Sequence, residues 1–114
     1  MIAEARRSPR RPVPDMVPVL DMMEEVVIGR LGNVSEHGML LLASAHLHDD
    51  ALYQLRFTMP QTDRQVQIDV GAHLLWSEAS HAPGHAWAGF CFLTISAAHR
   101  DLLRQWVNNA TPNG

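Results

Sequence analysis

Lysine is absent from this 114-residue chain, and all nine of its permanently cationic side chains are arginines. Without lysine there is no compact ammonium charge; every such cation is a planar fork suited to phosphate oxygens, carboxylates and base edges. Cysteine is almost absent as well. Cys91 has no partner for an internal disulfide, and its neighbours Phe90 and Phe92 read as a packed strand in a reducing interior. Long apolar runs are missing: Met39 to Ala43 falls far short of a membrane span. The leading MIAEARRSPRR has no apolar stretch behind its arginines that would make an export signal. The expected setting is therefore the cytoplasm, without membrane insertion. Two glycosylation-like sequons, Asn33-Val34-Ser35 and Asn109-Ala110-Thr111, need a secreted context and are set aside.

What charge there is lies segregated. Residues 6–11, RRSPRR, hold four of the nine arginines, and the first eleven residues contain one acid, Glu4. The chain beyond them has five arginines against eleven acids, a net of −6 where the whole carries −3. So acidic a body repels a nucleic-acid backbone, which argues against a DNA or RNA binder and leaves room for a compact anion held by the basic segment. At this length, with 46% apolar residues, one small domain is expected.

Alternation dominates the middle of the chain. In LYQLRFTM, Tyr53, Leu55, Phe57 and Met59 alternate with polar neighbours; in QVQIDV, Val66, Ile68 and Val70 do the same, and the turn-like PQTDR between them predicts a hairpin. Further strands are predicted at 17–23, 25–35, 38–44 and 86–95, six in all, which indicates a small barrel or sandwich. After Ile95 the period changes. Ala98, Leu102, Leu103, Trp106 and Val107 fall on one side of a helix from about Ala97 to Asn108, with Ser96 as N-cap. The organisation read from these patterns is a flexible basic arm over 1–14, a strand-rich body with its terminal helix over 15–110, and a frayed tail over 111–114.

The segment Asn33-Val34-Ser35-Glu36-His37-Gly38, at the junction of the second and third strands, carries the first candidate site residues. Side-chain alternation puts Asn33 and Ser35 on one outward face with Val34 inward, and Gly38 permits either a positive φ or a close backbone approach. The competing reading is that Asn, Ser and Gly are simply turn formers. Trp76 shares the phase of Val66, Ile68, Val70 and Leu74, which places it in the core unless Gly71 introduces a bulge. Trp87 and Trp106 read as packing residues. Seven histidines include His46 and His48 and the pair His81 and His85, but none has the partners a zinc site requires, so loops are expected and no metal. Glu24-Glu25 and Asp49-Asp50 read as solvated turns. No nucleophile has a base at useful spacing and no phosphate-cradling loop occurs, so an enzyme is not expected.

Arg6 and Arg10, spaced RxxxR, are followed 23 residues after Arg10 by NxSxxG, and this ordered pair resembles the PilZ domain, a family of bacterial receptors for cyclic di-GMP. The likeness runs through HLLW, GFCF and the terminal helix, nearly the whole chain. The resemblance implies an all-β fold, a six-stranded antiparallel barrel with a C-terminal α-helix, and a ligand on its outer face. It implies a cyclic di-GMP site of Arg6, Arg7 and Arg10 from the arm with Asn33, Ser35 and Gly38 from the strand end, Trp76 as a base-stacking candidate, and no cofactor. Arg11 lies outside the motif and reads as a solvated charge. Such a receptor orders its arm on binding and signals to a protein partner in motility, pilus or biofilm control. The alternative is a ligand-independent adaptor on the same fold.

The chemistry suits that ligand, since an arginine fork can grip a phosphate, pair with guanine O6 and N7, or stack on a base. Ordering six arm residues costs about 1–2 kcal/mol each, and charge-assisted hydrogen bonds return roughly 1.5–3 kcal/mol each. Binding is therefore expected to be moderate and salt-sensitive.

Overall fold

A computed structural model describes residues 9–61 and 63–109. Among the described residues seven strands and one helix follow in order: β1 Arg11–Pro12, β2 Pro18–Asp21, β3 Val26–Val34, β4 Gly38–Ala43, β5 Leu52–Pro60, β6 Gln65–Ala79, β7 Ala86–Ile95 and α1 Ala97–Asn108. All pairings are antiparallel. The order β3-β2-β5-β6-β7-β4, with β4 pairing back onto β3, closes a six-stranded barrel; β1 lies outside it along the end of β3. The six strands and the helix expected from the sequence are all present, with β6 extending through HLLW to Ala79.

Alternation builds the core. Leu55, Phe57 and Met59 of β5 face Ile68, Val70, Ala72 and Leu74 of β6 and Leu41 and Met39 of β4, each almost fully buried. Removing such a side chain from water contributes about 1.5–3 kcal/mol. The tight β2–β3 turn is held by Asp21, whose Oδ1 accepts from the backbone N–H of Met23 at 2.9 Å and of Glu24 at 3.3 Å. Glu25 there adopts a positive φ of 58°.

Four bulges interrupt the described ladders, one of them at Ile28 where β3 pairs with β2, and two others decide what faces outward. In β3, Leu31 pairs with Leu41 and Asn33 with Leu40, so Gly32 is the extra residue. In β6, Leu74 pairs with Phe90 and Trp76 with Gly89, so Leu75 is extra. An extra residue inverts the in–out phase of everything beyond it. The bulge at Gly71/Ala72 has its extra residue, Leu93, on β7 and leaves the phase of β6 unchanged.

Helix α1 is capped by Ser96, whose Oγ accepts from His99 N–H at 3.0 Å. It packs through buried Leu103 and Val107, with Trp106 partly buried against the core. Ala98, expected on that apolar side, is exposed in the first turn. Of the segment read as an arm, residues 11–13 are tied into the barrel: β1 pairs with β3, Val13 N–H donates to Gly32 O at 3.0 Å, and the Val13 side chain is buried.

Candidate functional site

One cross-strand row runs Asn33–Leu40–Gly89–Trp76, over β3, β4, β7 and β6. Three strand spacings separate its ends, roughly 14 Å by backbone. Leu40 and Gly89 make the floor, Asn33 one wall and Trp76 the other. The resulting cleft has a volume of about 210 Å³ and is also lined by Arg10 and Leu75. That is below the roughly 300–1,000 Å³ of pockets that enclose a whole small ligand, so the cleft suits one part of a larger one.

The polar wall is a pair. Arg10 Nη1 donates to Asn33 Oδ1 at 2.9 Å, leaving the rest of an exposed guanidinium fork available. Asn33 reaches the outer face because Gly32 absorbs the phase change, and Gly32 has no Cβ because the Trp87 ring lies against it, with Cζ3 2.9 Å from where one would stand. Trp87 is thus the packing residue the sequence analysis expects.

The aromatic wall corrects an expectation. Trp76 does not enter the core; it is 46% exposed, because the extra Leu75 turns it outward after Leu74 has pointed in. Its indole lies over Gly89, and a Cβ there would collide with the ring. The bulge that matters is therefore at Leu75 and not at Gly71. The consecutive apolar pair Leu74-Leu75, which breaks the strict alternation of β6, was the available sign of it.

Ser35 also departs from expectation. Rather than facing outward beside Asn33, it is 2% exposed inside the β3–β4 connection. Its Oγ accepts from the N–H groups of His37 and Gly38, both at 3.2 Å, and the strand ends before alternation can turn it out. Gly38 is buried with no positive φ, and a Cβ there would strike the Phe90 carbonyl of β7. Its smallness serves the barrel wall. Arg6 and Arg7, expected in the site from the sequence, lie outside the described residues.

Arg11, read as a solvated charge, is engaged. Its Nη1 donates to the Trp106 carbonyl at 2.6 Å and its guanidinium carbon sits 3.9 Å from the Trp106 ring centroid. Arg104 Nε donates to Glu36 Oε1 at 2.5 Å, tying α1 to the β3–β4 connection; hydrogen bonding to Glu36 raises the Arg104 pKa further above its ordinary value. Elsewhere on the barrel wall, Arg56 binds Asp69 through both carboxylate oxygens at 2.7 and 3.1 Å, which holds the Asp69 carboxyl below the usual range.

The far end of the barrel differs in chemistry. His46, His48, His81 and His85 all lie in connections between strands there, as do Glu24-Glu25 and Asp49-Asp50. Among the described residues no three His, Cys, Asp or Glu side chains are grouped to hold a metal ion, and no helix is long and apolar enough to cross a membrane.

The PilZ domain model matches residues 4–109 of the chain. Several solved structures share the fold. The inhibitor of motility MotI/DgrA of Bacillus subtilis matches with a TM-score of 0.82 at 16% identity, covering 97% of this chain and 53% of that one. Escherichia coli YcgR in complex with c-di-GMP matches at 0.75 and 20% identity, covering 96% and 47%. The PilZ domain of YcgR with c-di-GMP matches at 0.66 and 18% identity, covering 93% and 91%. A CinA-like protein of Synechococcus sp. (strain CC9311) is 35% identical over 60 residues, 50% of this chain but 14% of that relative's length. The chain thus spans about half of the MotI chain and of the first YcgR chain and a small part of the CinA-like protein.

Proposed function

The chain belongs to the PilZ domain family, and on that premise we propose that it is a cyclic di-GMP receptor, binding the dinucleotide on the outer face of the barrel without catalysis. The observation that carries this reading is the row itself: a forked cation already oriented by Asn33 at 2.9 Å, facing an outward indole across an apolar floor. Cyclic di-GMP presents what those groups recognise. The free edge of the Arg10 fork meets a phosphate or the O6/N7 edge of guanine, the Asn33 amide accepts from or donates to a guanine edge, and the Trp76 ring offers a stacking surface for one base. The cleft takes that base, and the rest of the dinucleotide extends toward the arm, where Arg6 and Arg7 supply further forks.

Ser35 and Gly38 act through shape in this reading. Ser35 braces the connection that follows Asn33, and Gly38 lets that connection cross close to β7. The receptor then signals to a protein partner in the cytoplasm, in motility, pilus or biofilm control.

Calorimetric titration with cyclic di-GMP tests the reading. The expected result is a saturable, exothermic isotherm in the micromolar range that weakens as salt is raised. An absence of heat from folded protein at low salt would overturn it and leave the ligand-independent adaptor.

A further inference from the structure

Arg10 and Arg11 are consecutive residues with different tasks. Arg10 meets Asn33 in the cleft, whereas Arg11 turns to the last turn of α1, donating to the Trp106 carbonyl at 2.6 Å and stacking 3.9 Å from its ring centroid. The final carbonyls of a helix lack intrahelical partners and favour a nearby cation, and the last turn of α1 has no basic residue of its own. The arm supplies that cation. On the other side of the motif, Glu36 lies between Ser35 and Gly38 and is held by Arg104 of α1 at 2.5 Å. Both segments that build the polar wall are therefore fastened to one helix, each through a residue that is not itself a motif residue.

We infer that Arg11, Glu36, Arg104 and Trp106 are positioning residues for the nucleotide site, and that α1 and the ligand stabilise each other through them. The inference rests on the cyclic di-GMP reading above. The physical reason is register. Arg11 is the first residue of β1, and its grip on Trp106 sets where the chain leaves the barrel, hence whether the adjoining Arg10 reaches Asn33. The Arg104–Glu36 bond fixes the connection that follows Asn33 on the opposite strand. A ligand that orders the arm must then favour the docked helix, and a docked helix must favour the ligand by the same factor. Arg11 is an effective fastener because a fork can donate to the carbonyl while its plane lies on the indole, and methionine in its place retains the apolar stem but neither contact.

The test uses the full chain with and without cyclic di-GMP, and reads affinity by calorimetry and amide hydrogen exchange over Leu102–Asn109. In wild type, saturating nucleotide should slow exchange in that stretch. Arg11→Met should speed it in the free protein, weaken binding about five- to tenfold, and abolish the slowing even at saturation; Arg104→Met should weaken binding by a similar or smaller factor. Arg11→Lys, which can still donate to the carbonyl, should recover part of the affinity. Circular dichroism of each variant separates these effects from unfolding. Wild-type affinity in both Met variants, or helix exchange that ignores nucleotide in a wild type that binds it, would overturn the inference while leaving the receptor reading intact. Failure of wild type to bind would overturn both. Unchanged helix exchange in free Arg11→Met would show that the fastening has no hold on α1.

Discussion

The two walls of the cleft are made by the same device and held by different forces. In β3 an extra Gly32 turns Asn33 outward; in β6 an extra Leu75 does the same for Trp76. The β3 wall is then fixed by directional bonds, Arg10 to Asn33 and Val13 N–H to Gly32 O. The β6 wall is fixed by the space that Gly89 leaves for an indole. A hydrogen-bonded wall selects orientation and charge, while an aromatic one contributes contact area indifferent to salt. The pairing suits a ligand that is anionic at one position and flat at another.

The largest break in this comparison is on the polar wall. Arg10→Ala should abolish measurable binding by calorimetry even at low salt; binding like wild type would show that the arm is not the site. Next is the aromatic wall. Trp76→Ala removes a base-stacking surface worth about 1–3 kcal/mol, so affinity should fall roughly 5- to 150-fold while the response to salt stays that of wild type. Gly89→Ala sharpens the point from the floor, since it leaves both wall residues in the sequence while its new methyl displaces the indole from its resting place. Affinity should fall about tenfold with a modest change in melting temperature, because the obstructing atoms belong to a surface side chain and not to the backbone.

The smallest effect lies away from the cleft. Arg56→Met breaks the ion pair that depresses the Asp69 pKa. A carboxyl whose folded pKa is lowered adds stability above its unfolded pKa of about 3.9, and that gain is lost as pH falls through the lower folded value. Wild type should therefore exceed the variant in urea melts near neutrality and converge with it at more acidic pH, with nucleotide affinity equal in both.

Strand positions and the helix were legible because half-buried antiparallel strands and an amphipathic helix write their periods directly into the chain, as Tyr53 to Met59 and Leu102 to Val107 do. The meeting of Arg10 with Asn33 was legible through the order and spacing of the two segments that carry them. The orientation of Trp76 was not read, because it depends on the extra Leu75 between the Leu74–Phe90 and Trp76–Gly89 pairs, and a bulge set by pairing leaves only the faint mark of Leu74-Leu75 in the chain. The burial of Ser35 escaped for a related reason: alternation holds only while a strand lasts, and β3 ends at Val34. Arg11 escaped because its partner, Trp106, is 95 positions away.

The barrel closes between β3 and β4 and borrows nothing from β1, whose two residues run along the outside. Arg11 and Pro12 are therefore an outside fitting on a wall already complete, held to it by their pairing with β3 and by the grip of Arg11 on Trp106. Substitutions in that fitting should therefore reshape the polar side of the cleft without asking the six-stranded wall to fold anew, so such a chain can vary its outer trim while its frame stays constant.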